Sequence, residues 1–98
     1  MLDFSFSEPH LSVKDKFILL LGEIYKNNKT SFEKALRIKG IYKSKSDVPR
    51  EAAQILGAPY WVETNISTPQ KAIVLFKVLD EVKYDERSIV EALRYLLY

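Results

Sequence analysis

The sequence contains no cysteine. Disulfides, thiolate metal ligands and thiol nucleophiles are therefore excluded, and with them the small secreted disulfide scaffold. Three glycines are too few for a loop that cradles phosphate on consecutive backbone N–H groups. The single histidine, His10, cannot build a zinc site, which takes several Cys, His or carboxylate ligands. The longest unbroken apolar runs, Phe17–Leu21 and Ala72–Phe76, fall far short of the ~18 residues that span a bilayer. The opening MLDFSFSEPH has neither the basic nor the apolar region of a secretory signal. The expectation from these absences is a cytoplasmic protein that is not an enzyme, with no cofactor, no metal and no membrane contact. Amides are scarce too, with three Asn and two Gln, a composition leaning towards that of thermophiles.

What is present is a domain-sized chain. Its 98 residues, 47% of them hydrophobic, suffice for one modest core that buries about 60–65% of the unfolded surface. The net charge of +2 conceals a segregation. Residues 26–50 carry eight bases (Lys26, Lys29, Lys34, Arg37, Lys39, Lys43, Lys45, Arg50) against two acids, or +6. The remainder carries seven bases against eleven acids, or −4. Such a split is the footprint of a surface that meets a polyanion, or of a solvated basic face beside an acidic one. The acids Asp80, Glu81, Asp85 and Glu86 lack the alternation and glycine of a calcium loop; Asp85 and Glu86 suit a helix N-terminus.

Periodicity predicts about five short helices in a mainly α bundle forming a single domain over residues 1–98. Ser12 with Asp15, and Thr30 with Glu33, read as capping boxes that open the first two helices, and Asn27, Asn28 and Gly40 close them. Asp47 and Pro49 are expected to start a third helix that buries Ala52, Ile55 and Leu56 and stops at Gly57. Ser67 or Thr68 opens a fourth with the stripe Ala72, Phe76, Leu79 and Val82. Asp85 caps a fifth that buries Ile89, Leu93, Leu96 and Leu97. Residues 2–6 and 60–66 alternate apolar and polar, so they can pair as two strands; 60–66 can equally form an irregular turn. The first and fourth helices carry more apolar side chains than one stripe needs, which makes them central or makes them interfaces.

Residues 49–66, PREAAQILGAPYWVETNI, resemble a helix-turn-helix in places: Ala52, Ala53 and Leu56 precede Gly57 much as in that motif's first helix and turn. The resemblance implies a DNA-binding regulator, yet Glu63 falls where an apolar residue packs, and Asn65 alone could read a base. Trp61 reads as an interface hot spot, a stacking platform or a loop anchor. Tyr95 and Tyr98, in an apolar C-terminal stretch, are further protein-interface candidates. Lys39, Tyr42, Lys43, Lys45 and Arg50 are the nucleic-acid candidates: four cations for backbone phosphates and a ring to stack on a base. The expectation is thus a non-enzymatic helical module with a basic face, an accessory subunit of a nucleic-acid-associated assembly, with a protein partner or a second copy. A protein–protein adaptor or viral structural subunit using the apolar helix faces is the alternative.

Overall fold

In the computed structural model, which describes residues 11–98, the first helix begins where Ser12 caps it. The Ser12 hydroxyl accepts the Asp15 N–H at 3.1 Å, and helix α1 runs Val13–Asn27. It stops at Asn28, whose side-chain amide donates to the Ile24 carbonyl at 2.9 Å and to the Tyr84 hydroxyl at 2.8 Å. Phe17, Leu20, Leu21 and Ile24 form its buried stripe. Helix α2, Thr68–Glu81, opens on a reciprocal capping box between Ser67 and Gln70, with Pro69 in the first turn. Helix α3, Glu86–Leu97, opens on Asp85, which accepts the Ser88 N–H. These three helices stand where the caps predict them. His10 and the proposed strand at 2–6 lie outside the described residues.

The middle of the chain departs from the five-helix expectation. Residues Ser31–Arg37 form a 3-10 helix, and Thr30 makes no side-chain cap bond. With three residues per turn, positions i and i+3 eclipse, which places the buried pair Phe32 and Ala35 on one line against the core. Ile41–Tyr42 is strand β1, and a short 3-10 turn, Lys45–Asp47, follows it. Asp47 caps no helix. The expected third helix is instead strand β2, Ala52–Gln54, and Trp61–Glu63 is strand β3. Strand β3 is central: it pairs antiparallel with β1 (Ile41 opposite Val62, Tyr42 opposite Trp61) and with β2 (Ala53 opposite Val62, Gln54 opposite Trp61). Residues 61–63 are therefore a strand as the alternation suggested, but their partners are 41–42 and 52–54. Two strands in place of two helices also remove the basis of the helix-turn-helix reading.

The sheet row Ile41–Val62–Ala53 faces the core, with Ile41 and Val62 buried and Ala53 packed against it. Ile55 is buried but Leu56 is 58% exposed, because β2 ends at Gln54 and Leu56 stands in the turn to β3, not on a helical stripe. In α2 the buried face holds Lys71, Val74, Leu75, Val78 and Leu79, while Phe76, expected inside, is exposed. Helix α2 contacts α1, α3 and the longer 3-10 helix, and that three-sided packing, not a single stripe, sets its inward face. In α3, Leu96 and Ala92 are buried, Ile89 and Leu93 are partly covered, and Leu97 is exposed. Burying each large core side chain contributes roughly 1.5–3 kcal/mol.

One close approach fixes the sheet against the helices. A Cβ on Gly22 of α1 would stand 2.7 Å from the Leu56 carbonyl oxygen and 2.9 Å from its Cβ, so only glycine lets the β2–β3 turn sit there. That turn closes through Ala58 N–H to Ile55 O and Ile55 N–H to Tyr60 O, both 2.9 Å, with Gly57 at φ +75. Tyr60 then packs on Tyr25 and Phe32 at ring-centroid distances of 5.8 and 5.4 Å. In an open helix interior, Gly to Ala stabilises by about 1 kcal/mol. Here Gly22→Ala is expected to cost about 1–3 kcal/mol through overpacking against backbone, measured by urea unfolding; a stabilised variant would show that the turn is free to move.

Candidate nucleic-acid interface

A groove of about 520 Å³ opens between β1, the loop at 49–50, the segment Glu63–Ile66 and the outer side of α2. Its floor is apolar, formed by Ile66, Ile73 and Val74, and Gly40 (φ +118) lies with its Cβ position 3.3 Å from a Val74 methyl. Its rim is cationic. Lys39 comes from the segment before β1, Arg50 from the loop before β2 and Lys77 from the second half of α2. None of the three makes an ion pair among the described residues. Tyr42, Asn65 and Gln70 complete the lining.

The acid in this groove, Glu63, is consumed internally. Its Oε1 accepts the Arg50 N–H at 2.8 Å, and its Oε2 accepts the Glu51 N–H at 2.9 Å and the Asn65 N–H at 2.8 Å. The side chain is 6% exposed. Burial pushes its carboxyl pKa up, but the N–H bonds from Glu51, Asn65 and Arg50, with the Arg50 charge behind them, outweigh it and leave the group below its ordinary value. In a helix capped by Asp47, the Arg50 N–H would be left for the cap, but the Glu51 N–H would make the first internal bond, to the Asp47 carbonyl. Glu51 gives that N–H to the Glu63 carboxylate instead, and Ala52–Gln54 pair with β3. Neighbouring bonds brace the same loops. Thr64 N–H donates to Glu51 O at 2.9 Å, the Thr64 hydroxyl meets Glu51 Oε1 at 2.7 Å, and Lys14 Nζ of α1 reaches the same oxygen at 2.8 Å. The Lys14 bond comes first, with Thr64 behind it, in lowering the Glu51 pKa. The buried Lys71 ammonium donates to Ile66 O at 2.6 Å.

Of the residues singled out from the sequence, Lys39, Tyr42 and Arg50 meet in the groove. Lys43 is exposed beside them on the chain. Lys45 lies outside the lining, its Nζ 5.8 Å from the centroid of the Trp61 ring, a contact worth about 0.5–1 kcal/mol at a partly wet site. Trp61 is half-buried, opposite Tyr42 and Gln54 in the sheet. Tyr95 is half-buried with Lys16 Nζ 5.6 Å from its ring centroid, and Tyr98 is 92% exposed. Lys77 and Gln70 escaped the sequence reading because they lie in a helix read only for its apolar stripe, although 70, 73 and 77 share one face by helical spacing. Glu63 carried no signal beyond being an acid in an apolar alternation. Among the described residues no cluster of three or more His, Asp or Glu can hold a metal ion, and no helix is long and apolar enough to cross a membrane.

Because folding lowers the Glu63 pKa, its stabilisation is complete above the unfolded value of about 4.3 and is lost as pH falls through the lower folded value. Glu63→Ala is expected to lower stability at neutral pH by about 1–3 kcal/mol, since buried donors lose their acceptor. Denaturant titration of both proteins at pH 7 and at progressively lower pH should show the gap closing in acid. A gap independent of pH would contradict the assignment.

Three likenesses bear on identity. Residues 2–95 match the family model described as the SeqA protein C-terminal domain. A protein of Aliivibrio fischeri described as "Negative modulator of initiation of replication" is 34% identical over 70 residues, covering 58% of this chain and 37% of that protein. The chain thus spans little more than a third of that relative's length. The crystal structure of V. cholerae SeqA superposes with a TM-score of 0.83 at 18% identity, covering 92% of this chain and 88% of that one, a likeness of fold. With the match extending over nearly the whole sequence, this chain belongs to the family of SeqA protein C-terminal domains.

Proposed function

We propose that this domain binds duplex DNA through the groove between β1, β3 and α2, as a non-enzymatic cytoplasmic module of a protein that modulates replication. The observation that carries the reading is the convergence of Lys39, Arg50 and Lys77, from three separate elements, on one groove where the one lining acid among the described residues is already hydrogen-bonded to backbone. Cations with no ion pair among the described residues can neutralise phosphates, and Lys43 on the adjacent exposed stretch extends the row. The relative's description as a modulator of replication initiation supports DNA as the polyanion. Asn65 and Gln70 are the groove's amides, but Gln70 Oε1 accepts the Ser67 N–H in the α2 cap. Asn65 is thus the side chain left to bond a base edge, with adenine as its best geometric match. Tyr42 is placed to pack against the sugar–phosphate backbone, and Lys45 with Trp61 forms the flank of the same surface.

Four neutralised phosphates correspond to a slope of log K against log salt of roughly −3 to −4. Fluorescence anisotropy with a short labelled duplex, between ~50 and ~200 mM salt, is expected to give that slope. Lys77→Glu should weaken binding strongly, whereas Lys26→Glu, in a separate hollow beside Leu19 and Gly57, should leave it nearly unchanged. Salt-independent or absent binding, or equal losses in the two variants, would overturn the proposal.

A second reading concerns the apolar helix faces. Val90, Leu97 and Tyr98 are exposed, and Val90 and Leu97 are two turns apart on one side of α3. This stripe favours a contact with a protein partner, and we take a second copy as that partner, with Trp61 and Tyr95 nearer the body of the fold. Sedimentation at high micromolar concentration should reveal dimers that Val90→Glu with Leu97→Glu abolishes while leaving unfolding unchanged. A monomer under those conditions excludes this contact. Nothing among the relatives favours a viral structural subunit.

A further inference from the structure

A carboxylate lining a groove proposed to bind phosphate poses an electrostatic problem, because an unpaired negative charge there would repel DNA. Glu63 directs its oxygens at three backbone N–H groups, and the Arg50 charge acts on it favourably as well. Those groups belong to two segments, one entering β2 and one leaving β3. One carries Arg50 and the other carries Asn65; the segments share the Thr64 N–H to Glu51 O bond, but the Arg50 and Asn65 N–H groups themselves go to Glu63. The Arg50 and Asn65 side chains are both exposed at the groove, while the backbone beneath each is tied to a single carboxylate.

We infer that Glu63 is a positioning residue for nucleic-acid recognition: it sets the distance between the phosphate contact of Arg50 and the base contact of Asn65 by binding the backbone of both loops at once. The inference rests on the DNA-binding reading above. It makes a prediction opposite in sign to simple charge bookkeeping. If Glu63 were only an acid near DNA, replacing it by glutamine would remove a repulsion and tighten binding. As a positioning residue it must do the reverse. Glutamine keeps one acceptor oxygen, and its NH2 would face a backbone N–H, donor against donor. With its oxygen on the Glu51 and Asn65 side, the Arg50 N–H loses its partner and the loop carrying that guanidinium is released.

The test is a double-mutant cycle in duplex-DNA binding with wild type, Glu63→Gln, Arg50→Ala and the pair. Each single variant is expected to weaken binding roughly five- to tenfold, the loss of about one ordered charge-assisted contact. Each should also make the salt slope shallower by about 0.9. The pair should lose no more than either single variant, because both changes remove the same contact. Tighter binding by Glu63→Gln, unchanged binding by it, or losses that multiply in the pair would each overturn the inference. Should Glu63→Gln fail to fold, hydrogen exchange in the free wild-type protein decides the matter. The Arg50, Glu51 and Asn65 amides are expected to be protected before DNA is added, and rapid exchange at Arg50 and Asn65 would refute preorganisation. A wild type that binds no duplex while these amides stay protected would overturn the DNA reading itself, and positioning for recognition with it.

Discussion

The Glu63 carboxylate gathers three N–H bonds from two loops beside a sheet whose strands run only two and three residues. Strands this short cannot persist on ladder bonds alone; even longer isolated hairpins are marginal in water. The sheet holds because its central strand is pinned on both faces. Val62 is in the core, and its neighbour Glu63 replaces the missing ladder with side-chain to backbone bonds. Burying a carboxylate is costly unless its lone pairs are used, so the same bonds that close the sheet make the buried acid tolerable. Lys14 extends the arrangement to α1 through Glu51, and Lys71 extends it to α2 through the Ile66 carbonyl. The groove is therefore a consequence of the sheet's closure, not an addition to it.

Helix α2 serves both sides of this construction. Its buried face meets α1, α3 and the 3-10 helix, while Ile73 and Lys77 look into the groove and Val74 is shared between them. The excess of apolar residues in this helix, which the sequence presents as either centrality or an interface, resolves mostly into centrality: Val74 and Val78 are in the core. Only Ile73 and Phe76 remain as exposed apolar surface on it. In α1, likewise, Ile18, Leu19 and Tyr25 are half-buried, with Tyr25 engaged edge-on by Phe32 and Tyr60.

Helix ends were legible where a local side chain decides them. Ser12, Ser67 and Asp85 each cap a helix at the position their sequence context predicts, because the bond involved spans three residues and needs nothing distant. The segment 47–56 was not legible, and the reason is equally physical. Pro49, two alanines and Gln54 form a good helix start by propensity, but Arg50 and Glu51 give their N–H groups to an acid twelve and thirteen residues away, and Val62 lies opposite Ala53. Long-range bonds of this kind override propensities worth a few tenths of a kcal/mol per residue. Ile55 is inward in both readings, so burial there could not distinguish them; Leu56, inward only in the helical one, could have.

The basic segment shows what folding does to a linear charge count. Of its eight cations, Arg37 is paired with Glu81 across to α2, Lys45 rests over Trp61, and Lys26 and Lys29 border a separate hollow. The run thus overstates the number of charges at the groove, which keeps Lys39 and Arg50. It also misses Lys77, which arrives from a region whose net charge is negative. Charges brought together from separate elements have spacings fixed by the fold, whereas consecutive lysines on a flexible stretch do not. On the proposed reading, a phosphate row built this way would lose affinity when the fold loosens, and a bound ligand would in turn stabilise the fold by mass action. Stability and the proposed binding would then be coupled through the two loops that Glu63 holds, beside the shortest strands of the structure.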